Sequence, residues 1–158
     1  MEPTRENLRA FDQLHRTRVD MLDAGGRLPE AVAAYERLLA RSPDLPDSWY
    51  NLALLQRKLR RYDAALASYQ QALDRGVSRP EEVHLNRGVI HSDCLRQEDA
   101  AERELHAALA LNPDYVPALT NLANLKSDLG QRDDQTDEAD GGGVDHGLLV
   151  VGRLRAQP

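Results

Sequence analysis

Three asparagines, Asn51, Asn86 and Asn121, stand 35 residues apart in each step, inside the similar phrases WYNLALL, HLNRGVI and LTNLANL. A carboxamide offers one acceptor oxygen and two donor hydrogens, which complements a peptide main chain. Packed helices lie about 10 Å apart, and an extended chain rises about 3.3 Å per residue. Amides repeated on successive stacked helices would therefore meet such a chain at about every third residue. That is the chemistry of recognition rather than of bond cleavage. Tyr50, beside the bulky Trp49, and Arg57, Lys58 and Asn124 lie in the same segments and complete the candidate binding set.

Other combinations of reactive residue types carry less. His84 and His91 are seven residues apart, with Asp93 and Cys94 just after, a set that could be drawn as a zinc site. Both histidines fall where the repeat places bulky packing residues, so packing is the reading adopted, and no metal is expected. Cys94 reads as a small hydrophobe in a turn. Gly141-Gly142-Gly143 lacks the lysine and helix of a phosphate-binding loop, no G-x-S-x-G elbow occurs, and His146 is isolated. The sequence therefore predicts neither a catalytic residue nor a cofactor.

Composition agrees with a binding protein. The 158 residues suffice for one domain and carry a formal net charge of −6, opposite to a nucleic-acid footprint. Aromatics make up 4% while alanine, leucine and arginine abound, which favours closely packed helices. Cys94 is the single cysteine and cannot form an internal disulfide. The start, MEPTRENLRA, has no apolar run like that of a signal peptide. The apolar run Leu148 to Val151 is too short to span a bilayer. A cytoplasmic location, with neither nucleic acid nor membrane as partner, is the expectation.

The elements that must position the asparagines are paired helices. A first helix is predicted from about Glu6 to Asp23, stopped by Gly25-Gly26. The next starts near Pro29 and carries Ala31, Val32, Tyr35, Leu38 and Leu39 at helical spacing. A second pair begins at Pro46-Asp47, with Trp49, Leu52, Ala53 and Leu55, then Ala65, Leu66, Tyr69, Ala72 and Leu73, and stops at Gly76. A third opens at Ser78-Arg79-Pro80-Glu81, read as a capping box, and a fourth opens near Pro117 and reaches Gly130. A helical unit repeating at this period buries its apolar face only by stacking on its copies.

The set Trp49-x2-Leu52-Ala53, Ala65-x3-Tyr69 and Ala31-x3-Tyr35 with Pro43 resembles the tetratricopeptide repeat, and His84-x2-Arg87-Gly88, Ala101-x3-Leu105 and Pro113 form a looser copy. The resemblance covers about residues 12 to 130 and implies an all-α solenoid of three and a half repeats: 12–45, 46–80, 81–115 and a partial 116–130. Ala31 to Ala65 spans 34 residues and Ala65 to Ala101 spans 36, so one residue is inserted before Pro80 and one near Leu95 to Glu98. Residues 131–158 read as an acidic, glycine-rich tail, with Asp133 to Gly143 a disordered linker.

The resemblance implies a concave groove that binds a protein or an extended peptide. The asparagines resemble the ladder in the repeat domain of O-linked N-acetylglucosamine transferase. The lysines and arginines of the carboxylate clamp in chaperone-binding relatives are largely missing, since Glu82 and Asn86 stand where those relatives have cations. Acidic residues on the inner surface suggest a neutral or mildly basic ligand. The segment RPEEVHLNRGVI followed by LNPDYVPALTNLANL is also similar to repeats ahead of bacterial sulfotransferase domains, so a repeat portion of a transferase is the alternative. Leu119, Leu122 and Leu129 lack a covering helix in the sequence, which suggests self-association through the last helix.

Overall fold

The computed structural model describes residues 26–139, and in them every regular element is helical. The predicted first helix and the segment Gly147 to Leu154 lie outside the described residues. In chain order the helices are α1 (Leu28–Arg41), α2 (Pro46–Lys58), α3 (Tyr62–Asp74), α4 (Pro80–Val89), a π-helical turn at Ile90–Cys94, α5 (Glu98–Leu111) and α6 (Val116–Ala139). The chain is an all-α helical-repeat solenoid, in which α2 packs on α3 and α4 on α5 as hairpins, while α1 packs on α2 and α3 on α4 between them. One compact unit ends at Leu125 and a second begins at Lys126.

Proline stands in the first turn of four of these helices, Pro117 of α6 among them. Pro29, Pro46 and Pro80 occupy first-turn positions, where a missing N–H costs nothing. The expected capping box at Ser78 does not form. Arg79 is the N-cap of α4 and makes no side-chain cap bond, while the Ser78 hydroxyl donates to Asp47 Oδ1 at 2.9 Å across the hairpin junction. The acidic Glu81 and Glu82 complement the exposed helix terminus instead. Stops follow the left-handed backbone that helix ends favour. Gly76, after α3, has φ of +74°, and Arg60 and Arg96 adopt the same region in the α2–α3 and α4–α5 turns; Gly26, just before α1, has φ of +70°.

Packing repeats as the sequence does. Ala31, Ala65 and Ala101 are each fully buried, and Tyr35, Tyr69 and Leu105 take the equivalent place one turn further along. Ser48, Val83 and Ala118 are fully buried at intervals of 35 residues, as are the largely buried Leu55, Ile90 and Leu125. Alanine at the contact points lets the helices approach closely, and no large side chain could be added there without displacing a neighbour. Gly88 extends this logic, since a Cβ there would lie 3.1 Å from Leu105 Cγ.

The residue expected near Leu95 to Glu98 enters slightly earlier. It widens the end of the third repeat's first helix into the π turn Ile90–Cys94, where the Leu95 N–H reaches back five residues to the Ile90 carbonyl at 3.1 Å. A one-residue insertion absorbed in this way leaves the helices on both sides in register.

Three sequence readings need correction. Trp49 is half-buried rather than core. Its indole N–H donates to the Pro43 carbonyl at 2.8 Å, and the Arg75 guanidinium lies 5.5 Å from the ring centroid. His84 and His91 are not packing residues. His84 Nδ1 lies 2.7 Å from Glu104 Oε2, and His91 Nδ1 lies 2.8 Å from Gln97 Oε1. The last helix does not stop at Gly130 but continues to Ala139, through part of the segment read as a disordered linker. One glycine costs only about 1 kcal/mol relative to alanine in a helix interior, and the glutamine, arginine, glutamate and alanine around it sustain the helix.

Glu104 ties the second hairpin to the third. It accepts from His84, pairs with Arg87 Nη2 at 2.8 Å, and Arg87 Nη1 in turn donates to Gln70 Oε1 on α3 at 2.7 Å. Burial alone would raise the Glu104 carboxyl, but the His84 hydrogen bond and the Arg87 charge together hold it below its usual 4.5. A folded-state value below the unfolded one stabilises the fold above the unfolded value, and that contribution is lost as pH falls through the folded value. Denaturation midpoints are therefore expected to drop on acidification below pH 4.5. In Glu104→Gln that part of the pH dependence should vanish, and a pH series of urea melts of the two proteins checks it.

Candidate functional site

The candidate site lies where α2 meets α4. Helical spacing puts Tyr50 and Arg57 on one side of α2, with Asn51 about 100° round from Tyr50, and Asn86 comes from α4 to meet Tyr50 and Arg57. Arg57 Nη1 donates to Asn86 Oδ1 at 3.0 Å. Asn86 Nδ2 donates to the Glu82 carbonyl at 2.9 Å and to the Tyr50 hydroxyl at 3.3 Å. Both of its donor hydrogens and one acceptor lone pair are thus engaged inside the protein. Tyr50 leans on Tyr69, with ring centroids 5.8 Å apart at 58°. Burial, aided by the Glu82 carboxylate, pushes the Tyr50 hydroxyl up to about 12, so it remains a neutral donor at physiological pH.

Asn51 is different. Its Nδ2 is buried and has no hydrogen-bond partner. A buried unmet donor costs about 1–3 kcal/mol, so this amide stands out from its two counterparts. Asn121, on α6, donates to the Pro117 carbonyl one turn back at 2.8 Å. The three asparagines are equally spaced in sequence but unequal in structure: one has a buried donor without a partner, one is spanned by neighbours, and one is bonded to its own helix. Asn124 and Lys58 are exposed.

Sequence reasoning missed the inward use of Asn86. An Arg reaching the next repeat's Asn depends on side-chain direction, which equal spacing does not reveal. It also missed the buried pair in which the Ser68 hydroxyl donates to Gln56 Oε1 at 2.7 Å. A serine and a glutamine at otherwise apolar hairpin positions were the available signal.

The acids near the site are occupied. Asp47 holds Ser78, Glu82 Oε2 lies 3.4 Å from Arg79 Nη1, and Glu81 lies 3.8 Å from Arg79 Nε. What remains is a patch rich in donors, with an aromatic edge. It can bind carbonyl or carboxylate oxygens.

Helical hairpins stacked with a period of 34 to 36 residues define a helical-repeat protein of the hairpin type. A family model described as tetratricopeptide repeat matches residues 17–80 and, overlapping it, 50–91. Over residues 17–91 this chain is therefore similar to the tetratricopeptide repeat family. Solved structures share the fold. The second such domain of human RPAP3, in complex with an HSP70 peptide, matches at 21% identity with a TM-score of 0.63, over 71% of this chain and 92% of that one. A repeat protein from Parabacteroides merdae matches at 24% identity and 0.67, over 77% of this chain and 46% of that one. YrrB, described as a repeat protein with an unusual peptide-binding site, matches at 20% identity and 0.59, over 73% of this chain and 59% of that one. The chain thus spans about half the length of the latter two.

Proposed function

We propose that this chain is a non-catalytic protein-interaction module that holds an extended segment of a partner protein along the groove between α2 and α4. The observation that carries this reading is the unmet Asn51 Nδ2 donor beside Tyr50. A turn of the Asn51 amide towards the surface would let a carbonyl of a bound main chain satisfy it, and its cost in the free protein would then be recovered on binding. Two similar structures are described as binding peptides, which supports the same use of the fold.

The test is affinity selection from synthetic pools of random dodecapeptides with amidated C termini, using the full chain. Peptides should be recovered, and Asn51→Ala should weaken them by about five- to tenfold, the equivalent of one lost hydrogen bond. Because Asn51 Nδ2 has no partner in the fold, the denaturation midpoint of this variant should hold. Asn86→Ala, by contrast, should also lose stability, since it removes three internal hydrogen bonds. Failure to recover any peptide, or equal affinity in Asn51→Ala, would sink the reading.

A second surface favours self-association as well. Leu111, Val116 and Leu119 are 53%, 67% and 45% exposed around the turn from α5 to α6. Leu119→Glu should shift any dimer towards monomer in analytical ultracentrifugation; a wild-type chain that sediments only as a monomer counts against it. The transferase alternative rests on sequence similarity alone, and a catalytic domain in the continuing reading frame would support it.

A further inference from the structure

Three arginines among the described residues are half-buried: Arg57, Arg75 and Arg87. Two of them face carboxylates. Arg75 Nε lies 3.9 Å from Asp44, and Arg87 Nη2 lies 2.8 Å from Glu104. Arg57 has no ion pair among the described residues, and its hydrogen bond goes to the neutral Asn86 amide. A guanidinium carries five N–H donors in a rigid fork, so four remain after this contact. Partial desolvation without a counter-charge is costly, and an incoming carboxylate relieves it.

The fork is also held in place. Asn86 fixes one arm of Arg57, and Asn86 itself is anchored by the Glu82 carbonyl and the Tyr50 hydroxyl. The Tyr50 oxygen accepts from Asn86, which leaves the Tyr50 proton to donate outward. Two open donors are therefore pinned to opposite ends of one amide. Counting formal charges made this surface look suited to a neutral or basic ligand. Of the acids in that count, Asp47 is engaged by Ser78, Glu82 by Arg79 and Asp93 by Ser92, and among the described residues Arg57 has no acid within ion-pair distance.

We propose that Arg57, positioned by Asn86 and flanked by the Tyr50 hydroxyl, receives the side-chain carboxylate of an aspartate or glutamate in the bound partner segment. This assignment rests on the groove reading above. A side chain is favoured over a chain terminus because α6 follows beyond α4 in the repeat order. A segment crossing the Arg57–Asn86 contact therefore passes along the groove rather than ending there.

The experiment extends the selection to paired dodecapeptide pools, one amidated and one with free C termini, presented to the full chain. Binders from the amidated pool should share one acidic position. Replacing that residue by its amide should weaken binding roughly ten- to a hundredfold, as for a charge-assisted pair. Arg57→Gln keeps an N–H for Asn86 but removes the charge, so it should erase the difference between acid and amide peptides. Arg57→Lys, with charge but no fork, should restore only part of it. Circular dichroism of each variant verifies the fold. Binders without an acidic position, or an acid-to-amide penalty unchanged in Arg57→Gln, would overturn the assignment while leaving the groove reading intact. Recovery from the free-acid pool alone would assign the carboxylate to a chain end and overturn it likewise. No binder from either pool would remove the groove reading, and this assignment with it.

Discussion

Replacing Tyr69 with alanine should lower the unfolding free energy by about 3–5 kcal/mol, the range for truncating a buried aromatic. Tyr69 has no exposed surface and joins Ala53, Ala65, Ala72, Val83 and Ile90 in the cluster between the second and third hairpins. Its ring is also the platform for Tyr50, so the site should loosen along with the core. Tyr69→Phe separates the ring from the hydroxyl. That hydroxyl is buried without a partner, and burial raises its pKa. Removing it should leave stability unchanged or raise it by about 1 kcal/mol. A urea denaturation midpoint that falls in Tyr69→Phe would show that the hydroxyl has a stabilising role.

Ala65→Leu should destabilise by about 1–3 kcal/mol through overpacking. Ala65 lies at the contact between α2 and α3 with no exposed surface, and Ala101 is its equivalent between α4 and α5. Ala101→Leu should behave alike, because the same repeat position makes the same close approach. If both midpoints stay at the wild-type value, the helices are not in the register described here.

The helices and their interfaces were legible because they depend on residue size at fixed intervals. Ala31, Ala65 and Ala101 announce close approach from the sequence alone, and glycine and proline mark the ends. The site was less legible. Asn51, Asn86 and Asn121 look identical in spacing, yet their bonding differs because Arg57 and Tyr50 reach Asn86 while the buried Asn51 Nδ2 has no hydrogen-bond partner. Histidines at bulky positions suggested packing, but Glu104 on the facing helix turned His84 into a polar bridge. Such outcomes depend on which long side chain arrives from another helix, and periodicity carries no record of that. The π turn was visible as a count of 36 residues but not as a shape.

Trp49 is the chain's single tryptophan, and it packs against two core clusters, one shared by α1 and α2 and one shared by α2, α3 and α4. With Arg75 over its ring and its N–H on the Pro43 carbonyl, its emission reports the seam where one hairpin stacks on the next. The third hairpin contains no such fluorophore. Far-ultraviolet ellipticity, which samples every helix, therefore need not track the tryptophan signal during unfolding. Coincident curves would mean that the array melts as one cooperative block. Separated curves would resolve the order in which neighbouring units let go, as a linear chain of coupled repeats permits.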